Sequence, residues 1–335
     1  MILGVRTLEG ERLSFGYLLP TRDAITSGRP QAAPLLALGE RAEALGFDAV
    51  WVGDSVLARA RHDPLTMLAA LAARTQRVIL GTGVLLAALR PALLLAQAAA
   101  TLDQIAQGRL VLGLGAGFPM PDTEREFEAV GVPYAGRVAR LNETIAAARA
   151  LWRAPGERVS LAGRHVQLRE VVLEPGPYRA DGPPVWLAGA GEQAERRVGE
   201  LGDGWLPYSP TPELYREGWE RVAAAAAAGG RERTPLPALY ATVSLDASTE
   251  LAHERLRGYI ERYYGQPLEL IRSIQAMYAG EPEGLSSWLE PYVRAGARHI
   301  VLRVADERPE RGLEVAGQAR ATVTGELGQG VVKSA

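Results

Sequence analysis

Short runs of apolar residues alternate with longer segments of helical periodicity along almost the whole chain. The short runs are rich in valine, isoleucine and leucine, which is typical of buried strands. They fall at residues 14–19, 49–52, 78–84, 110–114, 184–188, 204–207, 239–245 and 298–304. Eight such strands separated by helices predict an α/β fold in which a parallel sheet closes into a (β/α)8 TIM barrel.

The ends of the predicted helices support this alternation. Residues 34–46 form a helical pattern that ends at a glycine, and Asp63 followed by Pro64 is typical of a helix start. An open, doubly wound sheet is the structural alternative. Because such a sheet usually has roughly five to seven strands and a glycine-rich turn after the first of them, the pattern favours the barrel.

The alternation is interrupted between the fourth and fifth predicted strands. Residues 159–168 alternate around Ala162 and Gly163 in the manner of a β-hairpin. We therefore predict a barrel with an insertion segment over about residues 155–180.

The remaining divisions of the chain follow from the same pattern. We expect a single domain over residues 1–324 and a flexible tail over 325–335. The segment 263–284 is rich in long polar and aromatic side chains. It suits a lid that excludes water from the barrel mouth, although an ordinary surface helix fits the same pattern.

Composition excludes several classes of function. The 335 residues carry a formal net charge of −2, with basic and acidic side chains interspersed, so we expect no nucleic-acid partner. The absence of cysteine excludes disulfides and thiolate nucleophiles. The four histidines show no metal-binding spacing, and we expect no metal site.

No segment of the sequence suggests a membrane or a secretion signal. The first 13 residues lack the basic and apolar regions of a signal peptide, and the apolar run 85–100 is interrupted by Arg90, Pro91 and Gln97. We therefore expect a cytoplasmic protein.

A glycine-rich turn follows the fifth predicted strand, at the end of the barrel where such folds build their sites. Gly189, Ala190 and Gly191 open the next predicted helix. Glycine exposes backbone N–H groups and a helix N-terminus is positive, so this turn suits a phosphate. Arg196 or Arg197 would add charge. The alternative is that the glycines only permit a tight turn.

Two further glycine clusters follow the third and fourth predicted strands. The stretches 81–83 and 113–117 would let a flat ring lie against the strand ends, although tight barrel packing explains the same glycines. Asp54 directly follows the second strand, where its carboxylate could transfer a proton or accept hydrogen bonds from backbone N–H groups.

Four motifs, taken in order, resemble the bacterial luciferase-like superfamily. They are ERAEALGFDAVWVGD at residues 40–54, RVILGTGV at 77–84, GRLVLGLGAG at 108–117 and GDGWLP at 202–207. The resemblance covers about residues 15–304. It implies a TIM barrel with an insertion that binds reduced FMN or the deazaflavin coenzyme F420.

The resemblance also assigns residues to the cofactor. Gly83 and Val84 match a bulge, often a non-prolyl cis peptide, that supports the flavin ring from behind. Gly115, Ala116 and Gly117 match the wall beside the ring. The stretch 189–191 matches the phosphate-binding turn, in agreement with its chemistry.

Two positions depart from the sugar and alcohol dehydrogenases of the deazaflavin branch. Those enzymes have histidine and glutamate where this chain has Ser55 and Phe118, so their proton relay is in doubt here. Arg303 is a candidate catalytic residue that would bind an anionic substrate or stabilise a peroxyflavin. An ion pair with Asp306 or Glu307 is its structural alternative.

Three functions are compatible with these residues. The first is a monooxygenase that uses reduced FMN, supplied by a flavin reductase, and O2 on a small organic substrate. The alternative is an F420-dependent reductase or dehydrogenase that transfers hydride. The third is a barrel without catalysis, either one that binds flavin as a carrier or a structural protein that has lost its activity. We also expect a homo-oligomer, most simply a dimer.

Overall fold

The computed structural model describes residues 12–331, with side-chain surroundings described through Leu327. The strands in this part of the chain are β1 Ser14–Leu18, β2 Ala49–Val52, β3 Ile79–Thr82, β4 Leu110–Leu114, β5 Val159–Ala162, β6 Gln167–Val171, β7 Val185–Leu187, β8 Gly204–Trp205, β9 Leu236–Leu245, β10 Ala276–Gly280 and β11 His299–Val304. The helices are α1 Thr21–Thr26, α2 Ala32–Ala44, α3 Pro64–Arg74, α4 Ala92–Ile105, α5 Pro121–Ala129, α6 Arg137–Arg153, α7 Glu192–Leu201, α8 Pro212–Ala228, α9 Thr249–Tyr264, α10 Leu268–Arg272, α11 Gly284–Arg294 and α12 Pro309–Val331. A short 3-10 helix covers Ala87–Leu89.

Eight of the strands form a closed parallel barrel, which confirms the predicted fold. The order around the barrel is β1, β2, β3, β4, β7, β8, β9 and β11. The barrel closes where β11 pairs with β1, with Ser14 opposite His299. Apolar side chains of the helices and the outer strand faces form one large core, and a second apolar cluster fills the barrel.

A further parallel strand, β10, has no counterpart in the sequence prediction. It pairs with the second half of β9, with Ala276 opposite Ala241 and Gly280 opposite Leu245. This edge of β9 is open because β8 has only two residues. The sequence of β10, AMYAG, contains no β-branched residue, so the strand forms through tertiary pairing rather than local propensity. Together with α10, it lies in the segment 263–284, for which the sequence left a lid and an ordinary surface helix open.

The insertion contains the predicted hairpin, in which β5 and β6 pair antiparallel with Ala162 opposite Gln167. At the other end of the chain, α12 continues to Val331 and so extends into the segment 325–335 that we predicted as a flexible tail. Residues 1–11 and 332–335 lie outside the described residues. None of the helices described between residues 12 and 331 combines the length and apolar character that a membrane crossing needs.

Several polar residues of the sequence motifs brace the N-terminal face of the barrel. The Glu43 carboxylate accepts hydrogen bonds from the backbone N–H groups of Gln76, Arg77 and Val78, which lead into β3. Burial raises the pKa of Glu43, but these N–H groups outweigh it, and the pKa is lowered below its ordinary value. Glu43 therefore fixes how α3 connects to β3.

Other motif residues act in the same way. The buried Arg109 guanidinium donates to the backbone carbonyls of Ala72, Val78 and Ala106. Asp48 accepts from the N–H of Phe15, and Asp203 accepts from that of Val185. These side chains satisfy backbone groups that the strand ends leave unpaired.

The middle of the barrel interior contains a buried histidine between two tryptophans. Trp51 Nε1 donates to His299 Nε2 at 3.1 Å, so neutral His299 carries its proton on Nδ1, which lies 2.8 Å from Ser14 Oγ. The Trp186 ring packs edge-on against the imidazole. Burial lowers the pKa of His299 from 6.5 to about 3.

This shift predicts a component of acid sensitivity. Between pH 3 and 6.5 the unfolded chain binds a proton on His299 that the folded chain does not, so stability falls as the pH falls through this window. We expect the pH slope of the free energy of unfolding in His299→Gln to be smaller by about 1.4 kcal/mol per pH unit. Urea unfolding at pH 6.0, 5.5 and 5.0 measures the slope. Equal slopes in the two proteins would contradict the assignment.

Candidate functional site

The Gly83–Val84 bulge lies at the C-terminal end of β3, on the face of the barrel where the sequence predicts the site. The Gly83–Val84 peptide bond is cis. Val84 is half-buried and packs on the apolar cluster inside the barrel, so it forms part of the floor of the mouth.

The glycines after β4 are needed by this bulge. A Cβ at Gly113 would lie 2.0 Å from the Thr82 carbonyl oxygen, and a Cβ at Gly115 would lie 2.7 Å from Val84 Cγ2. Gly117 has a φ of +85° and turns the chain towards α5. Ala116 lies between them and is half-buried. Close packing of the bulge therefore explains Gly113 and Gly115, while the wall role that the resemblance implies for residues 115–117 stays a prediction.

The turn after β7 presents unpaired backbone donors at the start of α7. Gly189 has a φ of +140° and Gly191 a φ of +89°. Within the described residues, the amides of Gly189 and Ala190 form no hydrogen bond. The amide of Gly191 donates to Glu195 Oε1 at 3.0 Å and is not available to a ligand. The predicted phosphate site is thus reduced to Gly189, Ala190 and the first turn of α7.

Of the two arginines suggested by the sequence, Arg197 lies beside this turn. Its Nη2 is 4.0 Å from the position of a Cβ on Gly189, and its Nε is buried without a partner. Arg196 is exposed and faces Glu200. An orphaned buried guanidinium donor beside unpaired amides fits the phosphate of FMN or F420.

We expect Arg197→Gln to weaken binding of FMN or F420, whichever binds, about 10- to 100-fold, because charge-assisted hydrogen bonds to the phosphate are lost. Fluorescence titration measures the dissociation constant. Riboflavin, or the deazaflavin chromophore without its phosphate, should bind both proteins equally, and Arg196→Gln is the matched control. An equal loss of affinity for the phosphate-free compound would show that the cofactor phosphate does not bind at this turn.

Asp54 is held by a cation and a backbone donor. Its Oδ2 accepts from Arg90 Nη1 at 2.6 Å and from the N–H of Leu86 at 2.9 Å. Its side chain is only 3% exposed. This geometry favours the structural alternative, in which Asp54 supports the chain that follows the bulge. A proton-transfer role stays an untested prediction.

Arg303 is buried and points into the mouth from β11. It donates to Thr242 Oγ1 at 2.6 Å, to the Tyr264 hydroxyl at 2.7 Å and to Gln275 Oε1 at 3.0 Å. It forms no ion pair with Asp306, which pairs with Arg311. Burial lowers the pKa of Arg303, but the surrounding tyrosine oxygens outweigh it, and the guanidinium stays charged.

The Tyr264 hydroxyl lies in the segment 263–284, and the sequence pattern assigned it no individual role. Its oxygen accepts hydrogen bonds from Arg303 and, at 2.9 Å, from Gln275 Nε2. Burial raises the pKa of Tyr264, but Arg303, Gln275 and Arg59 outweigh it and lower the pKa below 10.0. Because a hydroxyl has one proton, Tyr264 can donate it to a third group.

A buried carboxylate shapes the loop after β2. Glu126 Oε1 accepts from Ser55 Oγ at 3.0 Å, from the N–H of Leu57 at 2.9 Å and from the N–H of Val56. Arg59, whose N–H donates to Ser55 Oγ at 2.7 Å, is thereby directed over the mouth. Its guanidinium lies 4.9 Å from the centre of the Tyr264 ring.

Two cavities lie elsewhere. One of about 690 Å³ reaches the edge of the mouth at Asp23 and Tyr259. Another, of about 1360 Å³, opens at the opposite, N-terminal face beside Pro184 and Arg298. We place the site by the strand ends, because the N-terminal face holds the structural braces and barrel enzymes use the other face.

The model of the luciferase-like monooxygenase family matches residues 13–325. The F420-dependent glucose-6-phosphate dehydrogenase of Beutenbergia cavernae is 34% identical over 295 residues, 84% of each chain. The phthiodiolone/phenolphthiodiolone dimycocerosates ketoreductase of Mycobacterium tuberculosis is 33% identical over 246 residues, 66% of this chain. The match spans only 62% of that ketoreductase.

Two solved structures share the fold at low identity. An F420-dependent secondary alcohol dehydrogenase, in complex with an F420–acetone adduct, has a TM-score of 0.80 and 20% identity over 93% of this chain and 99% of its own. The oxygenating constituent of 3,6-diketocamphane monooxygenase from Pseudomonas putida, in complex with FMN, has a TM-score of 0.77 and 18% identity over 94% and 98%. The family match covers almost the whole chain, and the chain therefore belongs to the luciferase-like monooxygenase family of oxidoreductases.

Proposed function

We propose that this chain interconverts a carbonyl compound and an alcohol by hydride transfer with coenzyme F420. The name of the relative that matches 84% of both chains includes this cofactor. The structural neighbour with FMN is below 25% identical and supports the fold alone. For this reason we prefer the F420 reaction to the FMN monooxygenase that the sequence analysis placed first.

The observation that carries the proposal is the Tyr264 hydroxyl between Arg303 and Gln275. Reduction of a carbonyl needs a proton on oxygen as well as a hydride on carbon. The histidine and glutamate of related dehydrogenases are replaced by Ser55 and Phe118, so the proton must come from another group. The Tyr264 oxygen accepts both of these hydrogen bonds, so its hydroxyl proton is available for donation, and its pKa is lowered, as a general acid requires.

Reduced F420, held by the Gly83–Val84 bulge and the turn at Gly189, supplies the hydride when bound. Tyr264 then donates its proton to the substrate oxygen, so that the C=O group gains one hydride and one proton and becomes an alcohol. The negative charge left on the Tyr264 oxygen is stabilised by the N–H donors of Arg303 and Gln275. In alcohol oxidation the deprotonated form of Tyr264 accepts the hydroxyl proton of the alcohol.

We expect Tyr264→Phe to lower kcat for carbonyl reduction about 100-fold or more, because the general acid is lost. The dissociation constant of F420 should not change. The wild-type rate should fall at alkaline pH with a midpoint below 10.0, as Tyr264 loses its proton, and the variant should lack this limb.

Tyr278→Phe is the matched control, since the Tyr278 hydroxyl donates to the Glu281 carbonyl outside the mouth. Steady-state kinetics over a series of pH values provide the readout. An unchanged kcat in Tyr264→Phe would exclude this tyrosine as the acid.

Anaerobic titration of the purified chain with F420, FMN and reduced FMN tests the cofactor. We expect F420 to bind at least ten times more tightly than either form of FMN. The monooxygenase with a separate flavin reductase remains the second candidate, because the unpaired amides of Gly189 and Ala190 also suit the phosphate of FMN. Tight binding of reduced FMN without binding of F420 would favour it, and binding of none would favour a structural barrel that has lost its activity.

A further inference from the structure

Three arginines besides Arg303 converge on the mouth. Arg22 lies in α1, while Arg59 and Arg61 lie in the loop after β2. The guanidinium carbons of Arg22, Arg61 and Arg303 lie 5.0, 5.5 and 4.7 Å from the centre of the Tyr263 ring. Like charges brought this close repel one another, so the arrangement is costly for the protein alone.

Arg22, Arg59 and Arg61 lack carboxylate partners. Among residues 12–327, none of them lies within 4.0 Å of a carboxylate oxygen. Arg90, at the same end of the barrel, shows the opposite pattern, since it pairs with both Asp54 and Asp63. Arg22, Arg59 and Arg61 therefore bring positive charge to the mouth that no described carboxylate oxygen within 4.0 Å balances.

Parts of these guanidinium groups are also unsatisfied. The Nε atoms of Arg22 and Arg61 are buried and have no hydrogen-bond partner. Burial lowers the pKa of Arg22; the Tyr263 oxygen raises it, and repulsion from Arg61 and Arg59 lowers it further. Buried donors without acceptors are uncommon in proteins and indicate a group that the protein does not itself supply.

The surroundings favour an organic ligand rather than a free ion. Arg61 donates to the Tyr263 hydroxyl, and the ring of Tyr208 packs edge-on against that of Tyr240 with centroids 4.8 Å apart. These rings give the mouth apolar walls next to the cations. One buried carboxylate, Asp23, attracts Arg22, Arg61 and Arg303 from a distance, and its Oδ2 accepts a hydrogen bond from the Tyr259 hydroxyl at 3.2 Å.

We propose that Arg22, Arg59 and Arg61 bind an oxyanion, a carboxylate or a phosphate, on the substrate of the reaction. This inference rests on the proposed function and names its substrate class: an organic acid or phosphate ester that also carries a carbonyl or hydroxyl group within reach of Tyr264. The site is separate from the turn at Gly189. Arg59 and Arg61 lie in the loop after β2, and the turn at Gly189 follows β7. Two strands, β3 and β4, separate β2 from β7 in the barrel.

Calorimetric titration of the full chain, with and without F420, tests the proposal with three probes. Benzoate and phenyl phosphate carry the two oxyanions, and benzamide is the neutral analogue. We expect benzoate or phenyl phosphate to bind at least ten times more tightly than benzamide. Tighter binding of benzoate would indicate a carboxylate on the substrate, and tighter binding of phenyl phosphate would indicate a phosphate.

We expect Arg22→Gln and Arg61→Gln to weaken the preferred anion about 10- to 100-fold, because charge-assisted hydrogen bonds are lost. Arg61→Lys should retain part of the affinity, since it keeps the charge. Arg257→Gln, on the exposed side of α9, is the matched control and should bind like the wild type. Thermal melts of the free proteins verify that each variant is folded.

Two results would overturn the inference: affinities no greater than that for benzamide, or tight anion binding that Arg22→Gln and Arg61→Gln leave unchanged. Binding of F420 is measured in the same samples. Normal F420 binding without anion binding would overturn this inference alone, whereas anion binding that depends on Arg22 and Arg61 without F420 binding would overturn the proposed function alone.

Discussion

The pairing of β11 with β1 closes a barrel of eight parallel strands, so every strand delivers its C-terminal end to the same mouth. Residues far apart in sequence, such as Val84, Gly189 and Arg303, thereby lie at or beyond strand ends on the same face of the barrel. The same closure places the opposite strand ends together, where polar braces such as Glu43 and Arg109 satisfy the backbone.

A local irregularity of the barrel brings together the polar side chains around Arg303. The two-residue β8 leaves half of β9 without a neighbour, and β10 fills that edge. Gln275, just before β10, and Tyr264, at the end of α9, are thereby brought to Arg303. The tyrosine hydroxyl and the buried arginine act as one unit because each holds the other in place.

The fold could be predicted because its determinants are local in sequence. Motif residues such as Glu43, Asp48 and Arg109 lie close to short apolar strands. Their side chains form hydrogen bonds with backbone groups at the N-terminal end of the barrel. The site is different. Asp54 follows a strand as a catalytic carboxylate would, yet it holds Arg90, and nothing near Tyr264 in the sequence indicates its long-range contact with Arg303.

Unsatisfied N–H donors lie on two separate sides of the mouth. The amides of Gly189 and Ala190 and the Arg197 guanidinium lie after β7 and form the proposed cofactor phosphate site, whereas Arg22 and Arg61 lie after β1 and β2 and form the proposed substrate site. A cofactor phosphate and a substrate oxyanion would occupy opposite sides, with the Gly83–Val84 bulge and Tyr264 between them. Such an arrangement orients both reactants by charge before any chemistry takes place.

A crystal structure of the chain with F420 bound would show where the cofactor lies. We expect the deazaflavin ring against Gly83 and Val84, the phosphate within hydrogen-bond distance of the Gly189 amide and Arg197, and the Tyr264 hydroxyl facing the space above the ring. A cofactor bound at the N-terminal face, or one whose phosphate lies among Arg22, Arg59 and Arg61, would show that this placement is wrong.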